Sequence, residues 1–229
     1  MSLLDVIGPV MVGPSSSHTA GACRLALLAR HSMLSAPAKA RLELHGSFAK
    51  TGKGHGTHLA LVAGLLGMFP DDERMPASFE LAKEAGLEIA LDSKDLGDVH
   101  PNTVCISLEN DSEKVKVMGS SLGGGIVKIF SINDFEVNFS GSYHTLLVEH
   151  DDRPGMIARV ARVLADDEVN IATLHSARRK RGGKALMSIE ADKRLAQFAL
   201  DYLSQLTNVS WLRILPEVMS GETGEIHDA

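Results

Sequence analysis

The chain has 229 residues, 44% of them hydrophobic, and its 23 basic and 29 acidic side chains give a formal net charge of −6. This length allows one or two domains, each with its own core, and the mild acidity argues against a protein that binds a nucleic-acid backbone. Every apolar run is far shorter than the roughly 20 residues of a membrane span, and the N-terminus lacks the basic start of a signal peptide. Cys23 and Cys105 lie in apolar segments, which indicates buried thiols of a cytoplasmic protein.

Residues 1–140 are rich in glycine and predict a mixed α+β domain. The periodicity predicts helices over Cys23–His31, His58–Gly67 and Phe79–Ala85, and strands over Arg41–His45, Leu87–Leu91, Thr103–Leu108, Lys114–Met118, Ile126–Phe130 and Phe135–Phe139. The last three strands alternate polar and apolar residues, which indicates an antiparallel meander. Gly123–Gly125 interrupts this meander, so we expect a bulge there or a close approach of the backbone to another group.

Residues 143–215 have a different pattern. Strands are predicted over Tyr143–Glu149, Val169–Leu174, Ala185–Glu190 and Val209–Leu215, with helices from Ile157 to Leu164 and from Leu195 to Leu206. The order β-α-β-β-α-β is that of the ferredoxin-like split arrangement. The basic cluster Arg178–Arg181 is interpreted as a solvated hairpin tip, and residues 216–229 as a flexible tail.

The most informative segment is a run of hydroxyl side chains and one histidine just before the first predicted helix. It consists of Ser15, Ser16, Ser17, His18 and Thr19, and we call it the serine-histidine turn. The first N–H groups of a helix lack internal partners and its dipole is positive at that end, so such a turn suits a phosphate or carboxylate. An ordinary N-cap is the alternative, although a single serine would serve for that.

A second cluster runs from Gly46 to His58. The spacing of Gly46 and Gly52-Lys53 departs from a phosphate-binding loop, and Gly54 stands where that loop needs Ser or Thr, which argues against a nucleoside triphosphate. His55 and His58 could share a helix face and bind a metal, but no zinc motif accompanies them. The favoured interpretation is that flanking glycines expose His55 as a general base, the alternative being a surface histidine in a loop.

A third cluster surrounds Pro101, which favours an extended conformation at His100. His100 and Asn102 could then contact one ligand together. On the residues alone a plain turn is equally well supported.

These segments resemble, in order, the β chain of bacterial iron–sulfur-dependent L-serine dehydratase. The resemblance is carried by residues Ile7–Gly21, Gly46–Phe48, Lys53–Thr57, His100–Thr103 and Gly123–Gly125. Residues 143–215, with Asp152–Gly155 and Asn170-Ile171, are similar to an ACT domain, a small module that often senses amino acids. The resemblance implies an α+β fold, in which a serine dehydratase β domain, similar to allosteric-substrate-binding domains, precedes a ferredoxin-like ACT domain.

The resemblance also implies a reaction, the conversion of L-serine to pyruvate and ammonia. In this family a [4Fe–4S] cluster acts as a Lewis acid on the serine hydroxyl. Two cysteines cannot hold such a cluster, so a separate α chain is the expected partner that ligates it, and the present chain supplies no metal ligand. One position departs from the family pattern, because residue 58 is His where the family usually has Asp.

The site residues implied by the resemblance fall into three groups. His55 is the candidate base. The substrate carboxylate is assigned to the serine-histidine turn with help from three further residues, and an amino-acid effector to the ACT domain. The substrate group is Ser15, Ser16, Ser17, His18, Thr19, His100, Asn102 and Gly124, and the effector group is Asp152, Pro154, Gly155, Asn170 and Ile171.

Two other functions remain open on the sequence. The chain could be a non-catalytic regulatory protein that senses amino acids, which the ACT-like half and the departure at His58 favour. It could also be a metal hydrolase that uses His18, His55 and His58. The exposed edges of a four-stranded sheet make a homodimer of the isolated chain plausible in each case.

Overall fold

The computed structural model describes residues 9–52 and 54–219. Three parts of the predicted motifs and tail lie outside the described residues. They are Ile7-Gly8 of the N-terminal motif, Lys53, and positions 220–229 of the tail. The helices are α1 (Ala22–His31), α2 (Gly46–Thr51), α3 (Thr57–Leu65), α4 (Ser78–Glu84), α5 (Met156–Asp166) and α6 (Gln197–Ser204). A six-residue π-helix, Ser16–Gly21, leads directly into α1, and a 3-10 turn, Met75–Ala77, precedes α4.

Ten strands form two sheets. They are β1 (Lys39–Leu44), β2 (Glu88–Ser93), β3 (Thr103–Glu109), β4 (Lys114–Gly123), β5 (Ile126–Ile132), β6 (Phe135–Phe139), β7 (His144–Asp151), β8 (Ile171–Arg178), β9 (Lys184–Ala191) and β10 (Val209–Leu215). The prediction of an α+β fold is confirmed, with every predicted strand and helix present within a few residues of its expected bounds. The short helix α2 was not predicted.

The first sheet has the strand order β2-β1-β3-β4-β5-β6. Only the β1–β2 pair is parallel, and in the antiparallel β1–β3 pair Leu42 lies opposite Ile106. Alternate residues of β1, such as Ala40 and Leu42, enter the core below α1 and α3, as the period of two of a strand requires. The opposite face is charged, and Arg41 there pairs with Asp92 at 2.8 Å.

The meander β4-β5-β6 is confirmed as antiparallel. The register of β4 and β5 shifts between Ser121 and Gly123, which is the expected bulge. Gly124 and Gly125 form the two-residue turn, with φ of 60° and 79°. Positive φ at both positions is what a type I′ hairpin requires, so the glycine triplet is explained by the turn itself.

The second sheet has the order β10-β7-β9-β8 with all pairs antiparallel, and α5 and α6 cover one face. This is the predicted βαββαβ arrangement. The other face packs on the first unit, because Leu147, Leu186 and Leu215 belong to the same buried cluster as the residues of α1 and α3. The two sheets therefore share one continuous hydrophobic core.

Two surface predictions are corrected by this packing. The described start of the tail is not flexible, because Val218 is fully buried and its N–H donates to Gly141 O at 2.9 Å. The basic hairpin is not merely a solvated tip, since the Arg179 guanidinium lies 4.4 Å from the ring centre of Phe135 and donates to Asn133 O. Lys180 and Arg181 at its end are exposed.

Candidate active site

The serine-histidine turn forms the start of one long helical segment. Ser15 caps it, since its Oγ accepts a hydrogen bond from the N–H of His18 at 3.2 Å and its carbonyl accepts from Thr19 N at 2.7 Å. The π-helical turn continues without interruption into α1, and π-turns are frequent at functional sites. Ser16 and Ser17 are half-buried beside the positive end of this segment, where an anion is favoured.

The imidazole of His18 is the centre of a cluster of hydroxyl groups. Its Nε2 lies 3.1 Å from both Ser47 Oγ and Thr51 Oγ1, and its Nδ1 lies 3.4 Å from Ser15 Oγ. The Thr51 hydroxyl donates to Ser47 O at 2.9 Å, so it accepts from His18 Nε2–H, which leaves Nδ1 to accept from Ser15. Burial, and then the neighbouring His55, lower the pKa of His18 and favour this neutral form.

His55 lies beside this cluster in the loop between α2 and α3. Its ring centre is 5.1 Å from that of His18, and its side chain is exposed. Gly54 and Gly56 flank it, and Gly56 has a φ of 71°. The expected exposure of a histidine between glycines is therefore observed, on the same surface as the serine-histidine turn.

Thr19 does not lie on that surface, although it was grouped with the substrate ligands. It is 1% exposed, and its hydroxyl donates to the backbone carbonyl of His55 at 3.1 Å. The structure therefore assigns its hydroxyl to a protein partner.

The third cluster packs against the second. Ser47 N donates to Pro101 O at 2.8 Å, and Gly46 has a φ of 54° where a Cβ would lie 2.6 Å from that same oxygen. The His100 Nδ1 accepts from Asn102 N at 3.1 Å, so the neutral ring carries its proton on Nε2, which is available as a donor. His100 is exposed and Asn102 is half-buried, and Pro101 between them accepts the hydrogen bond from Ser47 N.

Gly124 occupies the exposed turn of the β4–β5 hairpin. Its neighbour Gly125 is joined to α1, because Arg24 donates to Gly125 O at 2.8 Å. Positive φ in the turn accounts for glycine at position 124 without a ligand.

The side chains of His58 and His55 contact different parts of the molecule. Its ring lies 5.9 Å from that of Phe79 in α4, while His55 lies against His18. Within residues 9–52 and 54–219 there is no group of three or more His, Cys, Asp or Glu side chains that could hold a metal ion. The metal-hydrolase alternative therefore lacks a ligand set among the described residues.

The two cysteines do not fit the ligands of an iron–sulfur cluster. The Cys23 thiol is buried in α1 and donates to Met68 O at 3.1 Å, and burial raises its pKa far above the ordinary value. Cys105 is buried in β3, where burial and the Glu43 carboxylate also raise its pKa. Both side chains are thus held as neutral thiols, whereas an iron–sulfur cluster is bound by thiolates.

The predicted effector residues are divided between two places. Asp152, Pro154 and Gly155 line a pocket of about 610 Å³ at the start of α5. The Asp152 carboxylate accepts from Gly182 N at 2.9 Å and from Arg178 at 3.1 Å, and these bonds lower its pKa. Arg178 ends β8 beside this pocket.

Ile171 begins β8 at the opposite end, seven residues from Arg178 or roughly 23 Å along a strand, and Asn170 directly precedes it. Asn170 donates to Asp192 there at 2.9 Å. Within one chain, Asn170 and Ile171 therefore lie apart from the pocket at Asp152, Pro154 and Gly155.

Comparison with known proteins decides the family. The chain matches the serine dehydratase beta chain family over residues 2–86 and the ACT domain family over residues 144–197. It is 42% identical to the probable L-serine dehydratase, beta chain, of Bacillus subtilis (strain 168) over 91% of this chain and 94% of that protein. The chain belongs to the serine dehydratase beta chain family. A second member, the L-serine dehydratase, beta chain, of Peptoniphilus asaccharolyticus, is 46% identical over 86% of this chain and 89% of its own.

A different kind of enzyme is similar to a smaller part of the present chain. The D-3-phosphoglycerate dehydrogenase of Bacillus subtilis (strain 168) is 29% identical over 56% of this chain but only 24% of its own length. The two beta chains match over nearly their whole length at higher identity, and they favour the dehydratase interpretation over a non-catalytic regulatory protein. Among the described residues, no helix has the length and apolar character needed to cross a membrane.

Ser47 and Thr51 are the site residues that the sequence analysis missed. Both contact His18 because α2 places residues four apart on one face. The i, i+4 spacing of Ser47 and Thr51 would indicate that both hydroxyls lie on one helix face. This inference requires that the segment is helical, which the sequence analysis did not predict.

Proposed function

We propose that this chain is the β chain of an L-serine dehydratase, which converts L-serine to pyruvate and ammonia together with an α chain that carries a [4Fe–4S] cluster. The observation that carries the proposal is the 42% and 46% identity to two beta chains of that enzyme over most of each chain. Ligation of the cluster belongs to the α chain, because the described residues here hold no suitable ligand set. We expect the β chain to be inactive alone.

In this proposal the serine-histidine turn binds the substrate carboxylate. The hydroxyls of Ser16 and Ser17 and the open N–H groups of the helical segment offer donors, whereas the Ser15 hydroxyl caps the turn and is directed at His18 Nδ1. His100 Nε2–H and Asn102 add donors from the neighbouring turn, and the Gly124 backbone lines the same cleft. An L-serine anchored in this way presents its α-carbon toward the exposed His55.

His55 is the proposed general base. It removes the α-proton of serine, the C–H electron pair forms the Cα=Cβ bond, and the Cβ–O bond breaks with its electron pair on oxygen. The leaving hydroxide takes up the proton from His55 and is released as water. The resulting 2-aminoacrylate tautomerises to an imine, which water hydrolyses to pyruvate and ammonia. The neutral form of His18 supports this role, because an imidazolium 5.1 Å away would oppose protonation of His55.

The test is co-expression of this chain with its α chain, anaerobic purification and a pyruvate assay. We expect turnover of L-serine by the complex and none by the isolated β chain. His55→Gln should lower kcat by about 10²–10⁴-fold, which is the contribution of a positioned base. His175→Gln, in β8 of the other domain, is the matched control and should turn over normally. Absence of serine turnover by the wild-type complex would refute the function, and normal turnover by His55→Gln would refute the base.

We propose further that residues 1–140 form the serine dehydratase β domain, that residues 143–215 form an ACT domain, and that the latter binds an amino-acid effector. The pocket at Asp152, Pro154 and Gly155 supports this, since Gly155 begins α5 and leaves its first N–H groups open to a carboxylate. Asn170 and Ile171 take part only when a second copy pairs along the exposed strand β8. The free thiols Cys23 and Cys105 suit the cytoplasm.

Calorimetry of the isolated chain with L-serine and other amino acids tests the effector site. Amino-acid binding should be accompanied by a dimer in light scattering. Gly155→Val should abolish the binding of the amino acid. A chain that binds no amino acid in its dimeric form would contradict the effector site.

A further inference from the structure

The hydroxyl of Thr19 is enclosed between two segments of backbone. Thr19 is 1% exposed, and its Oγ1 donates to His55 O at 3.1 Å. On its other side lies Gly13, with a φ of 147°, where a Cβ would lie 2.6 Å from Thr19 Oγ1. The space that this hydroxyl occupies therefore exists because residue 13 has no side chain.

The segment that Thr19 contacts is rich in glycine, and its other hydrogen bonds are local, such as that from Thr57 N to Gly52 O at 2.9 Å. His55 lies between Gly54 and Gly56, and glycine restricts the backbone least. The N–H of His55 donates to Thr51 O at 3.3 Å, a long bond within the same loop. Thr19, by contrast, is anchored to Ser15 in the helical segment that continues into the buried helix α1. The bond from Thr19 thus joins the His55 carbonyl to the rigid part of the molecule.

We propose that Thr19 is a positioning residue for His55 and does not bind the substrate. This inference rests on the proposed function, in which His55 removes the α-proton of serine. The hydroxyl of Thr19 fixes the distance between the His55 backbone and the serine-histidine turn, and therefore the distance between the base and a substrate held by that turn. A misplacement of about 1 Å can cost 10²-fold in rate, so loss of this bond acts on kcat.

The experiment compares Thr19→Val with Thr19→Ser in the co-expressed complex. Valine keeps the shape of threonine and removes the donor, whereas serine keeps the donor. We expect Thr19→Val to lower kcat for L-serine about 10-fold or more with KM within about 2-fold of wild type, and Thr19→Ser to restore most of kcat. Thr145→Val is the matched control, because Thr145 is also fully buried and donates to a backbone carbonyl, that of Tyr143, in the other domain.

A second measurement on the isolated, ¹⁵N-labelled chain needs no turnover. The Gly56 amide shares its peptide unit with the His55 carbonyl, so Thr19→Val should shift the Gly56 resonance while Thr19→Ser and Thr145→Val leave it in place. A raised KM with unchanged kcat would show that Thr19 binds substrate, and unchanged kinetics would equally overturn the proposal. If the wild-type complex fails to turn over L-serine, the proposed function falls, whereas the Gly56 resonance still decides whether Thr19 holds the His55 loop.

Discussion

The histidines of this chain differ in what surrounds each ring, and the differences set their chemistry. His18 has hydroxyl groups at both ring nitrogens and a lowered pKa, so it is suited to orient a ligand in its neutral form. His55 is exposed at the edge of the same cluster, with its ring 5.1 Å from that of His18. His31, at the end of α1, has a different environment, because it lines a pocket with residues of α6 and β10.

The pH dependence of stability should report on His31. Burial, and then the adjacent Arg30, lower the pKa of His31 to about 4 from the ordinary value of 6.5. The unfolded chain therefore takes up this proton first, and stability is lost as the pH falls from 6.5 towards 4. The loss is up to about 3 kcal/mol for this group. Urea unfolding of wild type and His31→Gln at pH 7 and pH 4.5 measures it.

The His31→Gln variant should lose less stability than wild type across that interval. A residual slope is expected in the variant, because burial also lowers the pKa of His18 and of His144. The control for the removal of a histidine is His175→Gln in β8 of the other domain, measured at the same two pH values. Identical pH profiles for wild type and His31→Gln would contradict the assignment.

At the scale of elements, local patterns explain the second domain almost completely. The apolar periodicity and the turn at Gly182-Gly183 predict its four strands and two helices, because each element has at least one face on a core. The meander of the first domain was predictable for the same reason. The glycine triplet predicted an interruption of strand pairing at this point of the meander. The type I′ turn follows from the positive φ of Gly124 and Gly125.

The elements that build the active site depend instead on distant residues. Helix α2 has glycine at its start and just past its end, and it is stabilised by bonds from Ser47 and Phe48 to Pro101 O, more than fifty residues away. The π-helical turn fits against β4 because Gly21 has no Cβ, which would lie 2.1 Å from Ser121 Oγ. A local pattern contains neither contact. The motifs were therefore recognised, but the bonds from Ser47 and Thr51 to His18 were not.

At the scale of the whole molecule, α1 connects the active site to the ACT domain. Its N-terminal end continues from the serine-histidine turn, and its C-cap carbonyl, Ser32 O, accepts from Arg213 Nε of β10 at 3.2 Å. Between them, buried Arg24 donates to Met219 O at 3.0 Å. The shared core and these bonds therefore place α1 in contact with both the candidate active site and the ACT sheet.

The ion pair of Arg213 and Glu113 should carry much of the coupling between the domains. Arg213 NH2 lies 2.5 Å from Glu113 Oε2, and the two side chains are only 9% and 13% exposed. Removal of one partner leaves a buried charge uncompensated, so Arg213→Met and Glu113→Gln should each cost about 3 kcal/mol of unfolding free energy. The double variant should cost less than the sum of the two, because neither charge then remains. Urea unfolding of all four proteins measures this coupling.

The control is the pair Arg162 and Asp166 on the surface of α5, which are 78% and 60% exposed at 2.9 Å. The same cycle there should give a coupling of about 0.5 kcal/mol or less, since water and salt screen an exposed pair. If Arg213 joins the domains, its variant should also unfold in two separate transitions, with the ACT domain and the first domain no longer melting together. A single transition with a coupling as small as that of the α5 pair would show that the apolar core, and not this ion pair, holds the ACT domain against α1.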